Sequence, residues 1–390
     1  MGFVLFDNPL ARIELLPFTF TRPVCEIRTG ILTIREKWEL VLDAPAGYLT
    51  QDYLSKKFPL KIKGPSLFIN GKICPDPHLV KTVQQLEQGQ ALYKHSEVIA
   101  FYGQASDFQD LSAFQKIEFT GDLISIDRVV DIFGKNGKAL QMDFELLTRN
   151  KTSQPLSNSV TVIGDKNLVF LAEGAKAEAC ILNVTAGPVY LGKDAEIMEG
   201  SIVRGPLALC EHSTLKLGTK IYGPTTIGPH SKVGGEMSNS VIFGYSNKGH
   251  DGFLGSSVIG EWCNLGADTN NSNLKNNYST VKLFHYGQDQ AVDTGLQFCG
   301  LIMGDHSKSG INTMFNTGTV VGVGANIYGS GFPPTHIPSF SWGGSTGFVP
   351  YQLDKLIETA ERMFERRGLT LDEIEKELLK QVFDQTAKAR

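Results

Sequence analysis

The sequence has little excess basic charge, little cysteine and no long apolar run. Its 390 residues carry a formal net charge of -4, so no positive field attracts nucleic acid or an anionic membrane. The six cysteines include no Cys-x-x-Cys pair, which predicts buried thiols of a reducing compartment rather than a disulfide frame or a zinc site. No apolar run reaches the about 18 residues that span a bilayer, and the N-terminus enters an apolar strand without a leader. We therefore expect a cytoplasmic protein that binds neither nucleic acid nor membrane.

Residues 191–233 repeat with a period of six. Every sixth place is aliphatic, and the places between are small, polar or turn-forming. The aliphatic places are Leu191, Ile197, Val203, Leu209, Leu215, Ile221, Ile227 and Val233. Neither a helix nor a long strand has this period, whereas short strands joined by tight turns do, three to a coil, with coils stacked about 4.8 Å apart. We therefore predict a β-solenoid. The alternative, a β-sandwich, is disfavoured because eight aliphatic residues would have to fall at a spacing of six by coincidence.

The part before the repeat, residues 1 to about 155, alternates apolar strands with amphipathic helices. Strands are expected at 3–6, 66–70 and 98–102, and one helical face carries Ile34 and Trp38. Asp76-Pro77 has the residue types of a helix cap and first turn. This alternation predicts a parallel α/β sheet with a ligand crevice at the carboxyl ends of its strands. Residues 124–149 are expected to supply the last strand and helix of that sheet.

The repeat continues to about residue 335 with interruptions. We expect two added residues at 237–240, a long excursion from 269 to about 296, and off-pattern places at Asn247 and Ser309. The aliphatic or aromatic places between these breaks are predicted to be Val241, Phe253, Ile259, Leu265, Met303, Phe315, Val321 and Ile327. Because interruptions of a uniform solenoid project loops that carry function, the chemistry is expected between Ser238 and Lys308.

The repeat resembles the left-handed parallel β-helix of hexapeptide-repeat acyltransferases. Within them it is most similar to the bifunctional sugar-1-phosphate nucleotidyltransferase/acetyltransferase family. The matching segments are Gly249-His250, Asn264-Leu265-Gly266-Ala267, Asn273-Leu274-Lys275 and, more loosely, Val281-Lys282 and residues 304–312. The resemblance implies N-acyl transfer from acetyl-CoA to the amino group of a hexosamine 1-phosphate or nucleotide sugar. It also implies a homotrimer with active sites between subunits.

The residue types suit that chemistry. A neutral imidazole near pH 7 can take a proton from the attacking amine, and by the resemblance His250 is that base, with Asn264 and Lys282 beside it. A turn at Gly266-Ala267 would offer backbone N–H groups to the oxyanion. Cofactor contacts are assigned to Ala267, Asn273, Lys275 and Lys308. The alternatives stay open: His250 as a polar turn residue, the asparagines as turn formers, and the lysines as solvated charges.

Two departures from the family pattern concern the acceptor. Phe253 stands where the family has a tyrosine, and Ser238 where it has a lysine that contacts the sugar phosphate. Phe253 is therefore assigned to the substrate pocket, with Arg204 as a replacement cation. The acceptor is accordingly expected to be an amino sugar that the sequence does not specify, and the acyl group need not be acetyl.

The N-terminal part resembles sugar-1-phosphate nucleotidyltransferases in its order of strand, Leu-Pro-x-Thr-x-Thr-Arg-Pro stretch and helix. By that resemblance Arg22 and Lys37 handle phosphates. The family's Gly-Gly-x-Gly-Thr-Arg loop is replaced by Asp-Asn-Pro-Leu-Ala at residues 7–11, and the aspartate that holds magnesium is replaced by Lys72. Mg²⁺ is thus expected as a cofactor only if this domain is active, and no other metal site is expected.

Three segments result: a nucleotidyltransferase-like α/β domain at 1–155, a left-handed β-helix at 156–338, which residues 332–338 should end, and a tail of two helices at 339–390. The predicted function is acyl transfer in the synthesis of nucleotide sugars for the cell envelope. One alternative is a bifunctional enzyme whose first domain still makes the nucleotide sugar. The other is a non-catalytic solenoid that binds sugar nucleotides without turnover.

Overall fold

The computed structural model describes residues 2–389 and opens with a domain of strands and helices. Its strands are β1 (Phe3–Phe6), β2 (Ala46–Leu49), β3 (Ser66–Asn70), β4 (Ile73–Cys74), β5 (Gln90–Lys94), β6 (Glu97–Gly103), β7 (Gln115–Glu118) and β8 (Ile124–Ser125). Its helices are α1 (Pro9–Glu14), α2 (Ile34–Leu42), α3 (Pro77–Gln84), α4 (Val129–Gly134) and α5 (Asn136–Thr148). The predicted elements are present, and the Asp76 carboxylate caps α3 as expected.

The main sheet of this domain is mixed, which corrects the expected parallel sheet. Its order is β2-β1-β3-β6-β5-β7. β1 runs parallel to β2 and β3, but β6 is antiparallel to both β3 and β5. The reason is that β5 and β6 form a hairpin instead of flanking a crossover helix. β8 also lies outside this sheet, because it pairs with β4 in a separate ribbon.

The second part is a parallel β-solenoid with three sheets. Sheet 1 contains β10 (Val169–Leu171), β13 (Val189–Leu191), β16 (Leu207–Leu209), β19 (Thr225–Ile227), β22 (Val241–Gly244), β25 (Val258–Glu261), β30 (Leu301–Met303), β33 (Thr319–Val321) and β35 (His336–Ile337). Sheet 2 contains β11 (Lys176–Ala177), β14 (Glu196–Ile197), β17 (Thr214–Leu215), β20 (Lys232–Val233), β23 (Asn247–Lys248), β26 (Asn264–Leu265), β31 (Lys308–Ser309), β34 (Asn326–Ile327), β36 (Ser341–Gly344) and β37 (Gly347–Pro350). Sheet 3 contains β9 (Thr161–Ile163), β12 (Ile181–Asn183), β15 (Ile202–Arg204), β18 (Lys220–Tyr222), β21 (Glu236–Ser238) and β24 (Phe253–Gly255).

The excursion adds two small pairs of strands. β27 (Asn270–Asn271) pairs with β32 (Met314–Phe315), and β28 (Lys282–His285) forms a hairpin with β29 (Gln290–Asp293). The solenoid therefore confirms the predicted repeat, with the expected excursion between its coils. Its left-handed sense stays a prediction.

All eight aliphatic places of the regular run point into the solenoid core. Beyond Val233 the expected register is wrong by one residue at two places. Ile242 and Leu254 lie in register with Ile227 and Met237 and face inward, in place of Val241 and Phe253. The coil from Ile227 to Ile242 is shortened at its corners rather than lengthened, because it advances 242 − 227 = 15 residues where the regular coil from Leu209 to Ile227 advances 227 − 209 = 18. Val241 instead faces the first domain, where it joins that domain's core.

Sheet 1 is covered by the N-terminal domain. Phe18 packs its ring against Phe243 at 4.9 Å between centroids, and the two parts share one apolar cluster. Polar contacts reinforce this interface, since the Thr226 hydroxyl donates to the Gly30 carbonyl. The first domain thus closes one of the three faces, leaving sheets 2 and 3 for ligands or other chains.

The solenoid runs further than expected. The proline-rich stretch at 332–338 does not end it, because β35 pairs with β33 and β36 pairs with β34. Two helices follow, α6 (Leu353–Glu365) and α7 (Glu373–Gln385), as predicted. They form a hairpin that packs on the corner between sheets 1 and 2 and on Leu54 of the first domain. None of the helices in residues 2–389 is both long and apolar enough to cross a bilayer.

Candidate functional site

His250 and Ala267 occupy the same place in two consecutive coils, just after sheet 2. β23 is in register with β26 through Asn247 and Asn264. The turn after β23 begins with Gly249 and His250, and the turn after β26 begins with Gly266 and Ala267. The Asp268 N–H donates to the Asp251 carbonyl at 3.0 Å, so the two turns are stacked. Coil spacing of about 4.8 Å therefore separates the backbones of His250 and Ala267.

Glycine makes this turn possible. Gly252 has φ +115, and a Cβ at Gly266 would lie 2.6 Å from the Gly310 carbonyl oxygen. Both conditions exclude larger residues without a backbone shift. The result is a narrow turn whose backbone is close to the surface.

A buried lysine supports the His250 turn from inside the solenoid. Lys248 fills a place that is aliphatic in the regular coils, because it lies in register with Val233. Its ammonium donates to three carbonyls, those of Gly234 at 3.2 Å, His250 at 3.1 Å and Gly252 at 2.7 Å. Burial lowers the pKa of Lys248 to about 8. The sequence analysis missed this residue, although a lysine at a core place of the repeat is a signal that could have found it.

The His250 turn presents the groups that acyl transfer needs. His250 is exposed, and within residues 2–389 its imidazole has no hydrogen-bond or ion-pair partner. Within the same residues the Ala267 N–H donates to no acceptor. A solvent-accessible imidazole and an unused peptide N–H one coil apart can act as a base and an oxyanion donor.

Two of the other predicted residues lie on sheet 2, beside this turn. Asn247, Asn264 and Lys308 form a row across neighbouring strands, and the Asn247 side-chain N–H donates to Asn264 Oδ1 at 3.1 Å. The Lys308 ammonium donates to the His306 carbonyl at 2.9 Å, and burial lowers its pKa to about 8. The structure therefore places Asn264 and Lys308 on the same face as the turn that carries His250.

Arg204, Phe253 and Asn273 lie around the corner on sheet 3 or at its edge. Arg204 is exposed in a row that continues through Tyr222 and Ser238. Asn273 approaches the Ser256 hydroxyl at 3.4 Å. Within one chain, these three residues therefore do not lie on the face of sheet 2.

Lys275 and Lys282 belong to the excursion, which packs against the first domain. The Lys275 ammonium donates to the Thr280 carbonyl at 2.7 Å, and Lys282 begins the β28–β29 hairpin. His285 at the other end of β28 contacts Glu14 at 2.9 Å. The expected convergence of Lys282 with His250 and Asn264 is therefore not seen within one chain.

Arg22 and Lys37, the two predicted phosphate ligands of the first domain, are both buried and paired with carboxylates. Arg22 is buried in an ion pair with Asp305 of the solenoid, with Glu261 at 3.4 Å. Lys37 is buried in an ion pair with Asp143. Each cation neutralises an internal carboxylate, because burial requires such charges to be paired. Lys37 and Asp143 also line a cavity of about 420 Å³ between α2 and α5, so the phosphate roles of Arg22 and Lys37 stay predictions.

The first domain also lacks the features that would cradle a triphosphate. Residues 9–14 form α1, capped by Asn8, and Asp7 is buried in an ion pair with Arg12 at 2.9 Å. The Lys72 ammonium lies 2.6 Å from carboxylates of both Glu97 and Asp127. A lysine between these two carboxylates takes the place that a divalent cation would need, so the donor set does not fit Mg²⁺. No group of three or more His, Cys, Asp or Glu side chains suited to a metal occurs in residues 2–389.

The sequence has known relatives. The profile of a family described as sugar nucleotidyl transferase matches residues 3–152. The chain is 36% identical over 144 residues to a bifunctional sugar-1-phosphate nucleotidylyltransferase/acetyltransferase of Sulfurisphaera tokodaii, covering 36% of this chain and 35% of that protein. It is 34% identical over 87 residues to the bifunctional protein GlmU of Methanocaldococcus jannaschii, covering 22% of this chain and 21% of that protein. The chain therefore spans about a third or less of the length of these relatives.

Two acyl-transfer enzymes are among the solved structures to which this chain is similar. One is the UDP-N-acetylglucosamine acyltransferase of Francisella novicida, with a TM-score of 0.32, 13% identity, and coverage of 60% of this chain and 84% of that one. Another is the polySia-specific acetyltransferase NeuO, with a TM-score of 0.28, 15% identity, and coverage of 54% and 99%. By sequence comparison, residues 3–152 match the sugar nucleotidyl transferase family, and parts of the chain resemble the bifunctional sugar-1-phosphate nucleotidylyltransferase/acetyltransferases, the resemblance that its sequence predicted.

Proposed function

We propose that this protein transfers an acyl group from acyl-CoA, with acetyl-CoA as the expected donor, to the amino group of a hexosamine 1-phosphate or nucleotide sugar. The observation that carries the proposal is the stack of His250 over Ala267, where an exposed imidazole adjoins an unused peptide N–H. The bifunctional names of the relatives support the same reaction class. The six cysteines are all free and buried, which supports a cytoplasmic location for the reaction.

In the proposed reaction the amine nitrogen attacks the thioester carbonyl carbon. The C–N bond forms, and the carbonyl oxygen takes negative charge that the Ala267 N–H stabilises. His250 accepts the amine proton. The C–S bond then breaks, His250 returns the proton to the thiolate, and the products are an amide and free CoA.

The acceptor site is proposed to include a second copy of the chain. Arg204 lies on sheet 3 and Asn273 beside it, around the corner from sheet 2, while Phe253 follows the His250 turn at the start of β24. The first three strands of sheet 3 also expose apolar side chains, with Ile163, Ile181 and Ile202 at 46%, 37% and 48% exposure, and Ile181 and Ile202 are paired in register. Exposed apolar side chains grouped in this way favour a protein interface. A homotrimer would bring sheet 3 of one copy to the His250 turn of the next.

The test is release of free thiol from acetyl-CoA with a panel of amino-sugar 1-phosphates and nucleotide amino sugars. Wild type is expected to turn over one acceptor, and His250→Ala is expected to lose about 10²–10⁴-fold in rate, the usual contribution of a general base. His95→Ala is a control, because that exposed histidine lies in the first domain. Folding and trimeric mass are checked by circular dichroism and light scattering. Turnover that survives in His250→Ala, or silence of well-folded trimers across the panel, would overturn the proposal.

The alternative is a bifunctional enzyme, which the match of residues 3–152 to the nucleotidyl transferase family favours. The Asp7–Arg12 pair and the Lys72 contacts oppose it, because they leave neither an open phosphate loop nor a magnesium ligand set. The same preparation, given UTP or dTTP, a sugar 1-phosphate and Mg²⁺, is therefore expected to release no pyrophosphate. Pyrophosphate release would establish the bifunctional reading. A third outcome, binding of sugar nucleotides without any turnover, would favour the non-catalytic solenoid.

A further inference from the structure

A cleft of about 420 Å³ lies between sheet 2 and the end of helix α6. Its floor is the outer side of four neighbouring strands of sheet 2, and one wall is the aromatic pair Tyr245 and Trp262, stacked at 4.4 Å between ring centroids. The other wall comes from the end of α6 and the residues that follow. The side chains that line it are Lys232, Tyr245, Asn247, Trp262, Cys263, Asn264, Lys308, Met363, Arg366 and Arg367.

The cleft has four cations and, among the described residues, no carboxylate in its lining. Lys232 and Lys308 project from the floor, while Arg366 and Arg367 come from the helix. Within residues 2–389 none of the four forms an ion pair. Like charges gathered without a counter-charge repel one another and favour the binding of an anion.

A helix end alone does not explain this cluster. Arg366 is the C-cap residue of α6, where a cation interacts favourably with the helix dipole. Lys308 and Lys232 stand on the opposite side of the cleft, however, and lie far from that helix end along the chain. Lys308 is also sunk against the solenoid, where burial lowers its pKa to about 8. The only hydrogen bond of its ammonium group among the described residues is to the His306 carbonyl.

The shape of the floor fits an elongated polar ligand. Lys232, Asn247, Asn264 and Lys308 are in register on successive strands, so the two lysines stand roughly 14 Å apart at strand spacing. The amides between them keep unused donors and acceptors, since Asn247 and Asn264 share one hydrogen bond. Lysine and arginine are the side chains that bind phosphate oxygens.

We propose that this cleft binds the diphosphate group of a nucleotide, held by Lys308 on one side and by Arg366 and Arg367 on the other. The identity of the nucleotide rests on the proposed function: it is the diphosphate of the acyl-CoA or of a nucleotide sugar. Asn247 begins the strand whose next turn carries His250, so a ligand in the cleft extends along the same face toward the proposed base. The C-terminal helices thereby complete a ligand site on the solenoid.

The test is isothermal titration of the full chain with coenzyme A, with UDP-N-acetylglucosamine and with inorganic pyrophosphate. Wild type is compared with Arg366→Gln/Arg367→Gln. The charge-matched control is Lys355→Gln/Arg362→Gln, because both residues are exposed on α6 and pair with Glu358 outside the cleft. We expect the arginine double variant to bind at least about tenfold more weakly, from the loss of two charge-assisted contacts. The control should bind as wild type, and thermal melts should show that both variants are folded.

The three probes separate the sources of the diphosphate. Tighter binding of coenzyme A identifies the acyl donor, and tighter binding of UDP-N-acetylglucosamine identifies the nucleotide sugar. Equal affinity of wild type and the arginine double variant, or no binding of any probe, overturns the inference. This failure is distinct from failure of the proposed function. If His250→Ala loses turnover but binds the probes as wild type does, the result concerns the base alone. If wild type binds a probe but transfers an acyl group to no acceptor, the cleft proposal stands and the proposed function is overturned.

Discussion

At the scale of single residues, Lys248 is the least expected feature of the solenoid. It holds three carbonyls of the turns around His250 from within an otherwise apolar core. We therefore expect Lys248→Met to fill a similar volume but release the turn, because the Gly234 and His250 carbonyls lose the Lys248 ammonium and the Gly252 carbonyl keeps only the Glu236 N–H at 3.2 Å. Unfolding free energy should fall by about 1–3 kcal/mol, and acyl transfer should fall with it at temperatures where the variant remains folded.

Hydrogen exchange measures the local effect of that substitution. Exchange at residues 249–252 should quicken in Lys248→Met, while exchange in the regular coils at 191–233 should not change. Lys193→Met is the control, because Lys193 is exposed in a turn of a regular coil. Unaltered exchange and activity in Lys248→Met would show that the His250 turn is held by its glycines and backbone alone.

At the scale of elements, the docking of α6 buries a histidine. Phe364 of α6 stacks on Trp262 at 3.9 Å between ring centroids, and His306 lies beside them with its Nδ1 unpartnered among the described residues. Burial, the largest cause, lowers the pKa of His306 to about 3, and Lys308 lowers it further. The folded chain therefore binds fewer protons than the unfolded chain between pH 6.5 and about 3.

This difference predicts that stability falls as the pH is lowered below 6.5. Between pH 7 and pH 5 the loss from His306 amounts to about 2 kcal/mol of unfolding free energy. Denaturant unfolding of wild type and His306→Leu at both pH values checks it, with the exposed His78→Gln as control. The pH-dependent loss should be smaller in His306→Leu and unchanged in His78→Gln. Equal slopes for all three proteins would show that His306 does not contribute.

At the scale of the whole molecule, one buried ion pair joins the two domains. Arg22 of the first domain meets Asp305 of the solenoid, and the Thr21 hydroxyl donates to the same carboxylate at 2.5 Å. Asp305→Asn would leave the buried Arg22 with Glu261 alone. We expect a loss of about 3–5 kcal/mol, as for other broken buried pairs, measured as unfolding free energy in denaturant. Asp384→Asn, which breaks an exposed pair with Lys380, should change it by less than about 1 kcal/mol.

The same pair bears on the phosphate role that the resemblance implied for Arg22. Arg22 matches a phosphate-handling place of the nucleotidyltransferases, and residues 3–152 match that family. In this chain, however, the solenoid folds back onto the first domain and supplies Asp305 as the partner of Arg22. If Asp305→Asn melted like wild type, Arg22 would not need this partner, and its assignment to phosphate would regain support.

The sequence by itself determined the local features, because these depend on neighbours along the chain. The period of six predicted the coils of the regular run, Asp76-Pro77 predicted a helix start, and Gly266-Ala267 predicted a turn. The two C-terminal helices followed from their apolar periodicity. The expected register was lost just after Val233, where the corners before Met237 and Ile242 are shorter than in the regular coils. Residues removed from a turn shift the inward-facing places that follow, here to Ile242 and Leu254.

Only the tertiary structure decided which surfaces and side chains contact one another. Contacts between residues far apart in the chain decide which sheet the first domain covers, which cations are buried in pairs and where the C-terminal helices lie. Thr21 and Asp305, for example, are 284 positions apart. Arg22, Lys37 and Lys72 illustrate this, because the residue type alone does not distinguish a buried, paired cation from one that is accessible to a ligand. Arg366 and Arg367 are the converse case. The sequence did not single out these two cations at a helix end, and they line a candidate ligand site only because the helix packs beside Lys308. Long-range packing and the cost of burying an unpaired charge fix these outcomes, and neither is encoded in local sequence pattern.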